Sequence, residues 1–433
     1  VKQTAQRIFR KTLAAIDISA TLARKLDRDG SRIRAGGRTV DLQEFREIVA
    51  IAYGKASFTM AEAFTNILSP DFKPRGILSI PSEPPRTLPG WKIFVGGHPL
   101  PNADSFAAGR AIVDLLARCD ERTLIFFLLS GGGSVLVEQP LDPAVTLEDL
   151  QKLNSALVTC GAPIQEINAI RKHLSSTKGG RLAAAAPNSW KLTLGVTDVP
   201  EGHESALGSG PTLPDPTTVQ DAYRVAQEFA IVPKMPATIR PAFENHTLQE
   251  TPKDGDPAFS RAHFELLLGE HELMHAAHHA CESEGYVCIC DNSTDNWPLE
   301  KAADHLLAEL AKLKHANPGR PVAILADGEV SSPVTGDGVG GRNSAFVLAC
   351  VSKIAGKEIT VLSAGTDGVD GNSPAAGAVA DGVSLKRANS AGFDVADFFR
   401  RSDAHNFFAN LGDAIITGPT GNNLRDLRVL LAP

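Results

Sequence analysis

Short apolar runs punctuate the first half of the chain, each bounded by glycine, proline or charge: REIVAIAYG, GILSIP, KIFVGG, TLIFFLLS and KLTLGVTDV. Between them stand KASFTMAEAFTNIL, DSFAAGRAIVDLLARC and TLEDLQKLNSALVTCG, in which apolar residues return at helical spacing. A continuous apolar run suits a strand buried on both faces, and helical spacing suits an amphipathic helix that covers it. The alternation predicts βαβ units and a largely parallel sheet. Between 233 and 260 the texture turns to proline and polar residues without periodicity, which predicts a domain boundary or a long connector. A second alternating set follows, with strands FELLLG, YVCICD, PVAILADGE and EITVLSAGTDG and helices between them. The expected fold is α/β: two α/β domains with mainly parallel sheets, spanning residues 1–235 and 236–433.

A length of 433 residues exceeds one ordinary core and agrees with two domains. The formal charge of −7, from 43 Lys+Arg against 50 Asp+Glu, argues against a nucleic-acid binder. No apolar run is long enough to span a bilayer, so no membrane partner is expected. The N-terminal stretch VKQTAQRIFRKTLAAIDISATLARKL has helical spacing and lacks the apolar core of a secretory signal. Of six cysteines, Cys119, Cys160, Cys281, Cys288, Cys290 and Cys350, only Cys288 and Cys290 are close; their spacing puts both on one strand face as core thiols. Sparse cysteines point to a reducing, cytoplasmic setting.

Several strands empty into loops of small residues: SGGGS (130–134), TDVPEGHESALGSGPT (197–212), TGDGVGGRN (335–343), SAGTDGVDGNS (363–373) and TGPTGNN (417–423). In α/β sheets ligands bind beyond the carboxyl ends of strands, and successive backbone N–H groups in a glycine turn make an anion nest. One such loop is most often a tight turn. Several together favour a large polyanionic ligand such as a nucleoside triphosphate. No loop reads GxxxxGK[ST], and the HRD and DFG signatures are absent. Two other matches carry less weight. His271-Glu272-Leu273-Met274-His275 spells HExxH, and His278 and His279 follow, but no zincin-type extension supplies the third ligand and the apolar positions suit an ordinary helix. Gly336 to Gly341 spells GxGxxG, but the preceding VSSPVT is polar rather than a buried strand.

Taken together, YGKAS (53–57), GGHPLP (96–101), LSGGGSVL (129–136), EINAIRKHLSSTKGGRLA (166–183), TDVP (197–200), GSGPTLPDPTT (208–218), GVGGRN (338–343), GTDGVDG (365–371) and TGPTGNN resemble the glycerate 2-kinases that carry a C-terminal MOFRL domain. Some members bear the older label hydroxypyruvate reductase. The resemblance covers nearly the whole chain. It implies an N-terminal Rossmann-like domain and a MOFRL-type domain, with the active site in the cleft between them. It implies transfer of the γ-phosphoryl group of ATP to D-glycerate, giving 2-phosphoglycerate, with Mg2+ or another divalent cation. The family's catalytic lysine falls on Lys55, its arginine on Arg342 and its aspartate on Asp198.

Lys55 sits at a helix start, where its charge opposes the helix dipole, so a purely structural role suits it poorly. The planar fork of Arg342 suits phosphate or carboxylate. Asp198, at a strand end, serves either as base toward the acceptor hydroxyl, as a metal ligand or as a helix cap. Ser130, Gly131, Gly132, Gly133 and Ser134 are assigned to a nest for nucleotide phosphates. Lys178, Gly179 and Gly180 offer a second anion site, to which Arg171 and Lys172 contribute unless they form a charged helix face. Gly340, Gly341 and Asn343 join the nucleotide set. Asp367 and Asp370 either bind metal or shape their loop as Asx turns. The expected partners are D-glycerate and nucleotide, with a homodimer allowed. An NAD(P)H-dependent hydroxypyruvate reductase and a non-catalytic nucleotide or small-acid sensor are the rival readings.

Overall fold

In the computed structural model, which describes residues 1–197, 199, 202–422 and 424–433, every apolar run singled out as a strand forms one. Ahead of them lies a small antiparallel sheet of β1 (Asp27–Asp29), β2 (Arg32–Ala35) and β3 (Arg38–Asp41), which the pattern had not indicated. The strands that follow are β4 (Glu47–Tyr53), β5 (Arg75–Ile80), β6 (Trp91–Val95), β7 (Thr123–Ser130), β8 (Trp190–Val196) and β9 (Ala262–Leu268), in the order β6-β5-β4-β7-β8-β9. Neighbours from β6 to β8 pair in parallel. Every residue of β7 is buried, as an inner strand covered on both faces must be. Val49, Ile51 and Tyr53 of β4 join Ile125, Phe127 and Leu129 of β7 beneath Ala108 and Ile112 of the helix Ala103–Leu116. Phe126 points the other way and meets Phe64 of the helix Ser57–Leu68, ring centroids 4.7 Å apart. Each such side chain contributes about 1.5–3 kcal/mol on burial.

The second half builds β10 (Val287–Cys290), β11 (Val322–Asp327), β12 (Thr360–Gly365), β13 (Gly377–Asp381), β14 (Ala414–Ile415) and β15 (Asp426–Ala432), in the order β10-β11-β15-β12-β13-β14. Here the expectation of a mainly parallel sheet is corrected. Only β10 and β11 run in parallel; β15 is antiparallel to both β11 and β12, and β12, β13 and β14 are antiparallel in turn. A parallel pair needs a long crossover, and the short connection from Gly365 to Gly377 has no room for one.

The chain divides into two units, Ile18–Leu267 and Val1–Asp17 with Leu268–Pro433. This differs from a boundary at 235. Met235, Ile239 and Phe243 enter the same core as Leu153, Ile170 and Val225, so the proline-rich stretch belongs to the N-terminal unit. The first helix, Lys2–Ala15, instead packs Ala5, Ile8 and Phe9 on Met274, Leu362 and Val429 of the C-terminal unit.

Candidate active site

β4 and β7 lie side by side with Tyr53 opposite Leu129, so the loops that leave them start together. The Lys55 N–H donates to the Gly131 carbonyl at 3.0 Å, and the Ala56 N–H donates to Ser130 Oγ at 2.9 Å. Ser130 is thereby turned inward and buried. Gly132 has φ +78°, a conformation that costs other residues about 1 kcal/mol or more. A Cβ there would stand 3.2 Å from Lys55 Cγ and 3.4 Å from His98 Nε2, so the glycine brings backbone between two cationic-type side chains. Gly133 opens the helical turn Gly133–Leu136 against the ring of Tyr53. Lys55 itself is exposed. Burial, and then the charge of Lys55, lower the pKa of His98, which favours its neutral form. Sequence reasoning gave His98 no role, although it lies in the quoted GGHPLP; only the return of the chain beside Gly132 singles it out.

Ser134 Oγ lies 2.8 Å from Ser209 Oγ, and the Ser209 carbonyl accepts from the Gly179 N–H at 3.0 Å. The two expected anion loops of this unit therefore meet on one segment. Lys178 points away from solvent: it is buried, and its ammonium donates to Glu138 Oε2. Burial lowers the Lys178 pKa, with Glu138 opposing. Glu138 also accepts from Ser175 Oγ at 2.5 Å. Lys172 is similarly buried on Asp215 at 3.0 Å, and Arg171 Nε donates to Asn154 at 3.0 Å. Asp198, the expected base or metal ligand, lies outside the described residues.

In the C-terminal unit, Arg342 begins the helix Arg342–Val351. Its Nη1 and Nη2 donate to the two oxygens of Glu329 at 2.8 and 2.5 Å, and its Nε donates to Asp426 at 2.5 Å. Burial works against the charge, but Asp426 and Glu329 outweigh it and raise the Arg342 pKa. Asp370 caps the same helix: it accepts from the N–H groups of Gly341, Asn343 and Ser344 at 3.2, 2.9 and 2.8 Å and from Ser344 Oγ at 2.5 Å. Burial raises its pKa, and the Ser344 and Asn343 donors oppose. Oδ2 takes three of these donors and Oδ1 one, so the cap accounts for this carboxylate without a metal. Asp367 accepts from the Val369 N–H at 3.0 Å, as an Asx turn does. Asn343 is buried, with Oδ1 accepting from Ser363 Oγ at 2.6 Å. The Gly340 N–H donates to Asn372 Oδ1 at 2.8 Å.

Among the described residues no group of three or more His, Cys, Asp or Glu is arranged to hold a metal ion. The described residues therefore show no protein-built cage for Mg2+. The rings of His271 and His275 lie parallel and 6.2 Å apart on exposed positions, with no third ligand among the described residues. Both Cys288 and Cys290 face His278 Nδ1, at 3.5 and 3.8 Å, but Cys290 is exposed and is not a core thiol. The GxGxxG loop is filled by its own chain: a Cβ on Gly336 or Gly338 would strike the Arg401 carbonyl oxygen at 2.5 or 2.6 Å. No described helix is long and apolar enough to cross a membrane.

Residues 4–244 match the family described as Domain of unknown function (DUF4147), and residues 322–426 match the MOFRL family. The chain is 33% identical to a D-glycerate 2-kinase of Thermotoga maritima, over 91% of this chain and 93% of that protein. It is also 33% identical to a putative hydroxypyruvate reductase of Agrobacterium vitis, over 99% of this chain and 94% of that one. The crystal structure of glycerate kinase from Thermotoga maritima superposes with a TM-score of 0.85 at 31% identity, over 100% of this chain and 99% of that chain. Sequence motifs, both family matches and the full-length structural likeness agree, and the chain belongs to the glycerate 2-kinase family with a C-terminal MOFRL domain.

Proposed function

We propose that this protein is an ATP-dependent glycerate 2-kinase, transferring the γ-phosphoryl group to the 2-hydroxyl of D-glycerate. The observation that carries the reading is the match to a D-glycerate 2-kinase along nearly the full length of both chains. Phosphoryl transfer asks the protein for alignment and for compensation of charge spread over the phosphate oxygens. Lys55, exposed at the end of β4, supplies a positive charge beside the backbone of Gly131, Gly132 and Gly133. Arg342 supplies a second charge, with Glu329 and Asp426 fixing its fork through four hydrogen bonds. We assign Asp198 to the acceptor hydroxyl, and His98, which lies beside Gly132 and Lys55 and favours its neutral form, as a second proton acceptor. Ser130 and Lys178, both turned inward, hold the loops rather than the ligand. Asp370 holds the helix that carries Arg342. A divalent ion would supply further charge compensation at the phosphates, and among the described residues no group of carboxylates is arranged to hold it.

The test is direct. With D-glycerate, ATP and Mg2+ the protein should release ADP and 2-phosphoglycerate, and with hydroxypyruvate it should leave NADH absorbance unchanged. Lys55→Ala and Arg342→Ala should each lower turnover by about 100-fold or more, the usual cost of removing a group that compensates transition-state charge. NADH oxidation without ADP formation would replace this reading with the reductase. Nucleotide binding without either turnover would replace it with the sensor.

A further inference from the structure

The Arg342 fork rests on Glu329, and the side chain of Glu329 is 44% exposed. Its backbone is held on both sides. The Glu329 N–H donates to Asp295 Oδ1 at 2.8 Å, and the Glu329 carbonyl accepts from the Asn296 N–H at 2.8 Å. The preceding Gly328 has φ +91°, and a Cβ on it would lie 2.7 Å from Asp295 Oδ1, so Asp295 sits directly on the turn. Arg428, fully buried, donates from Nη2 to the carbonyls of Asp327 and Gly328 at 2.6 and 2.8 Å. Asp295 is held in turn: its Oδ2 accepts from Arg425, which is 5% exposed and also reaches Glu270 at 3.2 Å and Asp327 at 3.4 Å.

We propose that Asp295 and Arg425 are positioning residues for phosphoryl transfer, fixing the Asp327–Gly328–Glu329 turn so that Glu329 presents the Arg342 guanidinium in one orientation. The proposal rests on the reading that Arg342 serves the transferred phosphate. Neither residue touches the reacting atoms. Their effect passes through one backbone hydrogen bond and one bidentate ion pair. A displacement of about 1 Å in a group that must align with a phosphate costs about 100-fold in rate, and a rotated Glu329 is enough to cause it.

The experiment measures kcat and KM for ATP and D-glycerate in the full chain, with the thermal midpoint recorded alongside. Asp295→Ala should lower kcat by about 10- to 100-fold and leave KM within about threefold. Asp295→Asn, whose amide oxygen still accepts from Glu329, should recover most of that loss. Arg425→Lys, which keeps a cation near Asp295, should fall between the two and serves as the readout if Asp295→Ala does not fold. In an Arg342→Lys background, which cannot form the fork, adding Asp295→Ala or Arg425→Lys should change kcat by less than about twofold. Equal losses on both backgrounds, or normal kcat in Asp295→Ala and Arg425→Lys, would overturn the proposal. Normal turnover in Arg342→Lys would instead overturn the reading of Arg342 itself.

Discussion

Replacing Asp327 with asparagine isolates what burial does to a carboxyl that the fold leaves half satisfied. The side chain is fully buried; Oδ2 lies 3.4 Å from Arg425, and Oδ1 has no hydrogen-bond partner among the described residues. Burial pushes its pKa up to about 7, with Arg425 opposing. In the unfolded chain an aspartate titrates near 4. Between those values the folded state keeps a proton that the unfolded state has released. Stability therefore falls as pH rises from about 4 to about 7 and is flat above that window. Three pH units at about 1.4 kcal/mol each place the whole loss at roughly 4 kcal/mol, of which roughly 2–3 kcal/mol falls between pH 5 and pH 8. Asparagine carries no such proton, so Asp327→Asn should flatten the pH dependence of the C-terminal unit by that amount. Urea unfolding read through hydrogen exchange of the β11 peptide, at pH 5 and pH 8, measures it. Parent and variant curves whose pH dependence agrees within about 0.5 kcal/mol would refute the reasoning.

Three further outcomes are expected. Lys178→Met leaves the buried Glu138 carboxylate without its cation and should destabilise the N-terminal unit by about 3–5 kcal/mol, seen as a lowered urea midpoint; an unchanged midpoint would mean that Glu138 is not held as an ion. Lys55→Met removes one of the two causes that depress the His98 pKa, so that pKa should rise in an NMR titration of the imidazole, and a fall would contradict the placement of the two groups. Asp370→Ala strips four hydrogen bonds from the start of the Arg342 helix and should lower the thermal midpoint while leaving the Mg2+ concentration dependence of turnover unchanged; a marked shift in that dependence would return Asp370 to the metal.

The chain's own pattern determined a great deal. TLIFFLLS is a short continuous apolar run bounded by charge and glycine, which suits a strand covered on both faces, and all eight of its residues are buried in one. The motifs YGKAS and GVGGRN placed Lys55 and Arg342 at loop-to-helix starts, where backbone N–H groups gather, and both stand there. Local sequence did not reveal what depends on partners far along the chain. DLRVLLA is a short apolar run with no period of its own, and its place between β11 and β12, which makes the second sheet mixed, follows from pairing with strands 60 or more residues away. The inward turn of Lys178 and the capping role of Asp370 are likewise choices of tertiary structure. A lysine or an aspartate beside a glycine loop suits a ligand as well as it suits a buried partner. Only the arrival of Glu138 beside Lys178, and of the Arg342 helix N–H groups beside Asp370, decides which electrostatic debt the charge settles.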